Sequence, residues 1–217
     1  MFVGHYSAAF VAKRMAPRVP LWVYFVAVQF VDFLWAPFVL VGIEKARIVP
    51  GITASNPLDL YFMPYTHSLV ATVIWSGLAF AAARLMRAGG GSVQAAGVVA
   101  FAIASHWFLD LLVHRPDLPL YDDTMKMGFG LWNYRLPAFF LEIVCLLGGI
   151  ALYMRGESGR LINRSTPVLI FTVALILVQV SSTFGPIPSS LTFMAVGAFM
   201  SYALLSLGAA WAERASG

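Results

Sequence analysis

Residues 105–114 have the sequence Ser105-His106-Trp107-Phe108-Leu109-Asp110-Leu111-Leu112-Val113-His114 and end an apolar run of membrane length. On an α-helix, side chains four residues apart share a face and lie about 6 Å apart along the axis. His106 and Asp110 are therefore predicted to point the same way, with His114 one turn further along. Each ionisable group at the centre of a spanning helix costs roughly 2.5–3.5 kcal/mol, so such groups normally face a partner, a cavity or an ion. The stretch predicts a metal or proton site; the alternative is a helix end wetted by headgroup water.

The composition is typical of an integral membrane protein. Of the 217 residues, 60% are hydrophobic and only 11% are charged. The net charge of +4 is scattered without a basic stripe, so we expect no nucleic-acid partner. With Cys145 as the single cysteine, an internal disulfide is excluded. We expect one membrane domain over residues 1–217, with a metal-site half in 1–145 and the remaining helices in 146–217.

Six apolar runs are long enough to cross a membrane as helices. Stretches rich in glycine, proline or charge separate them. The sequence therefore predicts an all-α integral membrane protein with six transmembrane helices, at residues 21–41, 66–86, 93–113, 136–154, 168–184 and 191–211.

Six spans place both termini on one side of the membrane, and the basic residues indicate which side. Cytoplasmic loops carry an excess of lysine and arginine. The side that holds the termini has the larger set, and we therefore expect cytoplasmic termini. That set is Lys13, Arg14, Arg18, Arg84, Arg87, Arg155, Arg160, Arg164 and Arg214, against Lys45, Arg47, Arg115, Lys126 and Arg135 on the other side.

Three segments do not fit simple spans. Residues 3–14 are apolar but too short to cross, and a turn at Pro17 would fold them back as a re-entrant or interfacial half-helix that brings His5 near Asp32. Residues 55–59 have the pattern of a helix start, with an asparagine cap followed by proline, which would put His67 about ten residues inside a helix. Residues 116–135 are rich in aromatic side chains and methionine, and we expect them to form an interfacial lid over the site.

The ionisable residues embedded in the apolar segments map to one layer, in the outer half of the bilayer. Three imidazoles and two carboxylates suit Zn²⁺ or another borderline divalent ion. The predicted metal ligands are His5, Asp32, His67, His106 and Asp110. Glu142, outside the ligand set, is the predicted catalytic base or orients a ligand imidazole. His114 is predicted to be a solvated helix end.

These motifs carry a family resemblance. Gly4-His5, Asp32, Tyr65-Thr66-His67-Ser68-Leu69 and Ser105-His106-x-x-Leu109-Asp110 occur in this order. The order resembles that of the LexA-binding, inner-membrane-associated, metal-dependent hydrolase family, which shows an N-terminal histidine, a Pro-Asp-x-Asp element, a Thr-His-Ser motif and a Ser-His-x-x-Leu-Asp motif. The resemblance covers roughly residues 1–115, and it implies metal binding, hydrolase activity and a multi-pass protein of a bacterial-type inner (plasma) membrane. Val31-Asp32-Phe33-Leu34 has one acid in place of two, which favours one metal ion over two.

Three functions remain open from the sequence. The first is a membrane-embedded metal-dependent hydrolase acting on a lipid or another amphiphilic small molecule. The second is a haem-binding or other redox membrane protein, with His67 and His106 as axial ligands. The third is a proton or metal-ion carrier. A carboxylate at Asp110 would crowd a porphyrin, and the inner halves of the spans lack polar residues for a relay, so the sequence favours the hydrolase.

Overall fold

A computed structural model describes residues 1–155 and 165–216 of the chain. Within these residues the regular structure is helical apart from one small antiparallel sheet, β1 (Lys45–Ile48) with β2 (Leu58–Phe62). Short 3₁₀ turns lie at Val3–His5 and Leu131–Asn133. In chain order, the helices are α1 (Tyr6–Met15), α2 (Leu21–Val28), α3 (Phe30–Leu40), α4 (Leu69–Leu85), α5 (Ala88–Gly91), α6 (Val93–Val113), α7 (Arg135–Met154), α8 (Ser165–Phe184) and α9 (Leu191–Ser216).

Several of these helices are long and apolar enough to cross a membrane. Among the described residues, α6, α7, α8 and α9 meet that test individually, and α2 with α3 meet it as one span bent by 50°. α4 has 17 residues, about 26 Å at 1.5 Å per residue, which is short of a hydrocarbon core about 30 Å thick. The described residues therefore support a multi-pass protein with four or five spans, and the predicted six are not confirmed.

The predicted helix start at residues 55–59 is wrong. Asn56 Oδ1 accepts from the Leu58 backbone N–H at 2.9 Å, which forms a turn, and Leu58 begins β2. Asparagine and proline are as common in turns as at helix starts, so the local pattern does not separate the two. The cap of α4 is Ser68, whose Oγ accepts from Ala71 N–H at 3.1 Å. His67 consequently lies directly before a helix, in the turn that precedes its cap.

The N-terminal segment is enclosed by the protein. α1 packs against α2, α6 and α7, and Tyr6 stacks on Phe25 with ring centroids 4.3 Å apart. α1 and α7 approach so closely that a Cβ at Gly149 would lie 2.6 Å from the Ser7 backbone. Protein walls around a short helix satisfy the requirement for a buried half-helix at membrane depth. Lys13 pairs with Glu213 of α9 where α1 ends.

Two irregular segments cover the opposite end of the helices, and we call them together the cap: the β1–β2 hairpin and residues 116–134. The second segment is bound to α4 by the Leu69 N–H, which donates to Pro119 O at 3.0 Å, and is closed on itself by a bridge between Leu118 and Met127. An ion pair between Arg115 and Asp59 joins it to the hairpin. This is the segment predicted to be a lid, and it covers the end of α6 that carries Asp110.

Candidate metal centre

All four histidines of the chain converge on one carboxylate, that of Asp110. His5 Nε2 lies 3.0 Å from Asp110 Oδ1. His106 Nε2 and His114 Nε2 lie 3.0 Å and 3.4 Å from Oδ2, and His67 Nε2 lies 4.0 Å from the same oxygen. Asp110 is 2% exposed. The structure therefore gathers donors from separate parts of the chain into one buried cluster.

Asp32 completes the cluster from the bent span. Its Oδ1 lies 3.2 Å from His67 Nε2 and 3.9 Å from His106 Nε2. Two overlapping groups, His5 with His106 and Asp110, and Asp32 with His67 and His106, keep their donor atoms within 4.8 Å of one another. Donors bound to one Zn²⁺ at about 2.1 Å are at most about 4.2 Å apart, and the His–Asp distances within these groups, 3.0 to 3.9 Å, are below that limit.

The five predicted ligands lie in different local structures. His5 comes from the 3₁₀ turn before α1, and Asp32 from the first turn of α3. His67 precedes the Ser68 cap of α4. His106 and Asp110 are one turn apart on α6, as their spacing predicts. Only this last pair is set by local helical geometry; the others depend on the tertiary fold.

The hydrogen bonds behind His106 determine which ring nitrogen is free. His106 Nδ1 lies 2.7 Å from the Val28 carbonyl oxygen, beside the break between α2 and α3. A carbonyl oxygen can only accept, so Nδ1 carries the proton and donates. The neutral ring then has a lone pair on Nε2, the nitrogen that faces Asp110.

His67 and His114 are oriented in the same way. His67 Nδ1 lies 2.7 Å from Thr66 Oγ1, whose hydroxyl donates to Glu44 Oε2 at 2.6 Å. Because that hydroxyl hydrogen is used, Thr66 accepts from His67. His114 Nδ1 lies 2.8 Å from Asp117 Oδ1, a carboxylate oxygen that accepts. Metal-binding histidines almost always donate their other N–H to such an oxygen.

The resulting arrangement places acceptors against acceptors. His106 Nε2 is buried and makes no hydrogen bond, although Asp110 Oδ2 is 3.0 Å away. A lone pair and a carboxylate oxygen at that distance repel each other in a buried site, unless a further proton or a cation lies between them. The donor set, its orientation and this unsatisfied nitrogen all fit a bound divalent cation.

The charge around the cluster favours a cation too. Burial lowers the pKa of His114, but Asp110 and Asp117 outweigh burial and raise it above its ordinary value. Both acids are nearly inaccessible to solvent. The same negative surroundings that would hold a proton on the ring can hold a metal ion instead.

His114 was predicted to be a solvated helix end, and that interpretation is wrong. It is 2% exposed, because Trp132 of the cap packs on its ring with centroids 4.2 Å apart. Sequence reasoning also missed Glu44, Thr66 and Asp117 as orienting groups. The signal for His114 was present: it continues the four-residue spacing of His106 and Asp110.

Glu142 lies beside the cluster and holds the N-terminal segment. Its Oε2 accepts from the backbone N–H of Phe2 at 2.8 Å and of Gly4 at 3.2 Å. The Met1 amino group contacts Asp110. Glu142 thus holds in place the turn that contains His5.

A cavity of about 730 Å³ reaches the cluster from between α7, α8, α9 and the cap. Asp32, His67, Asp110, His114 and Glu142 line it. His5 and His106 do not. The cluster therefore has one face open to a small molecule and one face closed by protein.

Comparisons of the chain with known protein families, with curated proteins and with solved structures found no match.

Proposed function

We propose that this protein is a membrane-embedded, metal-dependent hydrolase that acts on a lipid or another amphiphilic small molecule. The observation that carries the proposal is a buried set of oriented imidazole nitrogens facing Asp32 and Asp110 on the wall of a cavity. Perturbed ionisable groups at the wall of the main cavity are the usual mark of a functional site.

The residues that would hold the ion are His5, Asp32, His67, His106 and Asp110. Imidazole nitrogen together with carboxylate oxygen favours Zn²⁺ or a similar borderline ion. When bound, such an ion polarises a carbonyl or phosphoryl oxygen and lowers the pKa of water toward ~7.

Glu142 is the proposed catalytic base. Its Oε2 is occupied by two backbone amides, so Oε1 is the oxygen left to take a proton from an attacking water. A base has to lie within hydrogen-bond reach of that water, directly or through a second water. The shared cavity wall supports this assignment.

The cavity lining supports an amphiphilic substrate. Hydroxyl groups of Ser182, Ser201 and Tyr202 lie along the wall with Asp32 and Glu142. Phe139, Ile187 and Phe193 line it too, and Phe193 is 67% exposed on an apolar helix surface. A polar reacting group can lie against the hydroxyls while a hydrocarbon tail extends toward lipid.

The haem alternative finds less support. Two axial imidazoles need a free plane between them for the porphyrin. Here the Nε2 atoms of His67 and His106 each lie within 4.0 Å of both Asp32 and Asp110, and these carboxylates take up that space. The carrier alternative needs polar groups that continue beyond the cluster, and the buried surroundings of α1 and α2 at the other end are apolar.

The membrane orientation is part of the proposal. Lys13, Arg14 and Arg155 lie at one end of the helices, where Arg14 donates to the Leu152 carbonyl. Cytoplasmic placement of this basic end puts the cap and the cluster toward the outer face. The site then lies in the outer half of the bilayer, with the C-terminus cytoplasmic. The predicted cytoplasmic N-terminus does not fit this orientation, because the Met1 amino group lies at the cluster, against Asp110.

The experiment that tests the proposal measures metal and hydrolysis together. Detergent-purified protein should contain a divalent metal, and His106→Ala should contain less of it while staying folded. Phe108→Ala, on the same helix but with an exposed side chain, is the matched control and should keep it. The metal-loaded protein should hydrolyse a long-chain ester, amide or phosphoester in micelles, and a chelator should stop the reaction. Full metal retention in His106→Ala, or no hydrolysis of any of these classes, would overturn the proposal.

A further inference from the structure

The two oxygens of Asp110 face different histidines. Oδ1 lies against His5 Nε2 at 3.0 Å. Oδ2 lies against His106 at 3.0 Å, His114 at 3.4 Å and His67 at 4.0 Å. Oδ1 also contacts the Met1 amino group. Asp110 thus presents its two oxygens to different donors, which allows the carboxylate to bridge two ions.

His5 and His106 form a closed position with Asp110, with His5 at Oδ1 and His106 at Oδ2. The rings of His5 and His106 are stacked at 3.8 Å and nearly parallel. Both are 1% exposed or less, and neither lines the cavity. We call these two residues with Asp110 the inner position.

The remaining donors form an open position, which is separated from the closed one by its access to the cavity. Asp32, His67, His114 and Asp110 all line the cavity. We call these four residues the outer position. An ion there would have protein donors on one side and room for water or substrate on the other, which is the arrangement of a catalytic rather than a structural ion.

His114 is built as a ligand of the outer position. Asp117 holds its Nδ1–H at 2.8 Å, and Arg115 Nε donates to the other Asp117 oxygen at 3.2 Å. Trp132 fixes the ring from one face. The hydrogen bond from Nδ1–H to Asp117 is the kind of contact that orients metal-binding histidines, and it leaves Nε2 facing Asp110.

We propose that the protein binds two divalent ions bridged by Asp110, a closed one at the inner position and an open one at the outer position, with His114 as a ligand of the open one. This inference rests on the proposed metal centre and extends it. The single acid at Asp32 favours one ion when the sequence is considered alone, but His114 supplies the donor that a second ion needs.

Metal stoichiometry tests the proposal directly. Protein saturated with Zn²⁺ in detergent and then desalted should contain two ions per chain. His114→Ala should retain one, and His5→Ala should retain one. Phe108→Ala should retain two. Asp117→Ala removes the acceptor that orients His114, and it should weaken one of the two ions about 10–100-fold while leaving the other unchanged.

A spectroscopic measurement separates the two positions without relying on activity. Mn²⁺-loaded wild-type protein should give the exchange-coupled spectrum of a close pair, and His114→Ala should give that of an isolated ion. One ion in the wild type would overturn this inference and leave the hydrolase proposal standing, whereas no ion would overturn both. Two ions in His114→Ala, or an unchanged affinity in Asp117→Ala, would remove His114 from the site.

Discussion

The Nδ1 atom of His114 lies 2.8 Å from a carboxylate oxygen of Asp117, and the opposite nitrogen of the same ring faces Asp110 at 3.4 Å. Asp117 accepts from the ring and orients it, and the free Nε2 faces Asp110. His67 has the same arrangement, with Thr66 and Glu44 behind it and Asp32 in front. Orienting oxygens of this kind raise the basicity of a ligand and fix its tautomer, so they are targets for mutation that leave the ligands themselves in place.

Thr66→Val should weaken metal binding without removing a ligand. Valine has nearly the shape of threonine but cannot accept from His67 Nδ1, so the ring loses the hydrogen bond that fixes its tautomer. We expect metal affinity to fall about 10–100-fold. Competition with a metal-binding dye measures this.

The matched control for that variant is Thr124→Val. Thr124 is exposed in the cap, and its hydroxyl donates only to the nearby Tyr121 carbonyl. It should bind metal like the wild type. Equal affinity in Thr66→Val and Thr124→Val would show that the Glu44–Thr66–His67 chain has no influence on the site.

Gly149→Ala should displace the helix that follows His5. The added Cβ would lie 2.6 Å from backbone atoms of Ser7, and neither helix can yield without moving α1 away from α7. Overpacking of this kind costs about 1–3 kcal/mol. We expect a lower unfolding temperature in detergent together with weaker metal binding, because His5 moves with α1.

The neighbouring glycine provides the control. A Cβ at Gly148 meets nothing within 4 Å, so Gly148→Ala should unfold at the wild-type temperature or slightly above it and keep its metal. If both variants behave alike, close packing of α1 on α7 is not what holds His5 in place.

Glu142→Gln should separate the two parts assigned to this residue. The glutamine oxygen can still accept from Phe2 and Gly4, so the N-terminal segment and the metal content should be preserved. A glutamine cannot take a proton, and loss of a general base lowers the rate about 10²–10⁴-fold. We expect kcat to fall with little change in KM.

Glu142→Ala should also lose the hydrogen bonds that hold the N-terminal segment, and with them part of the metal. An unchanged kcat in Glu142→Gln would leave Glu142 as an anchor alone.

Local rules explain what the sequence predicts well and what it does not. The shared face of His106 and Asp110 follows from helical periodicity, which depends only on neighbours in the chain. The burial of His114 depends on Trp132, which lies 18 positions further along the chain and reaches the ring only when the cap is folded. The four-residue spacing places His114 on the face of Asp110, but it does not show that Trp132 covers the ring, and the charged neighbour Arg115 favours an exposed helix end.

The hairpin shows the same limit for secondary structure. Asn56-Pro57-Leu58-Asp59 satisfies the pattern of a helix start, yet Asp59 lies opposite Arg47 on the neighbouring strand and also pairs with Arg115. Those partners are distant in sequence, and they decide between helix and strand. The break between α2 and α3 lies at Gln29. A single polar residue in a largely apolar run from 21 to 41 does not by itself predict a 50° bend.

Reporter fusions test the proposed orientation. A reporter placed after Gly217 should show cytoplasmic activity, because the end of the helices that holds Lys13 and Glu213 carries the basic excess. A second reporter inserted between Asp122 and Asp123, at the tip of the cap, should show activity on the opposite side. The tip is a turn with its first residue exposed, where an insertion disturbs few contacts. Three helices, α7, α8 and α9, lie between the cap and the C-terminus, so the two reporters should be on opposite sides. Activity of both reporters on one side would contradict this topology. A cytoplasmic signal from the cap and an external signal from the C-terminus would place the cavity and the cluster toward the cytoplasm.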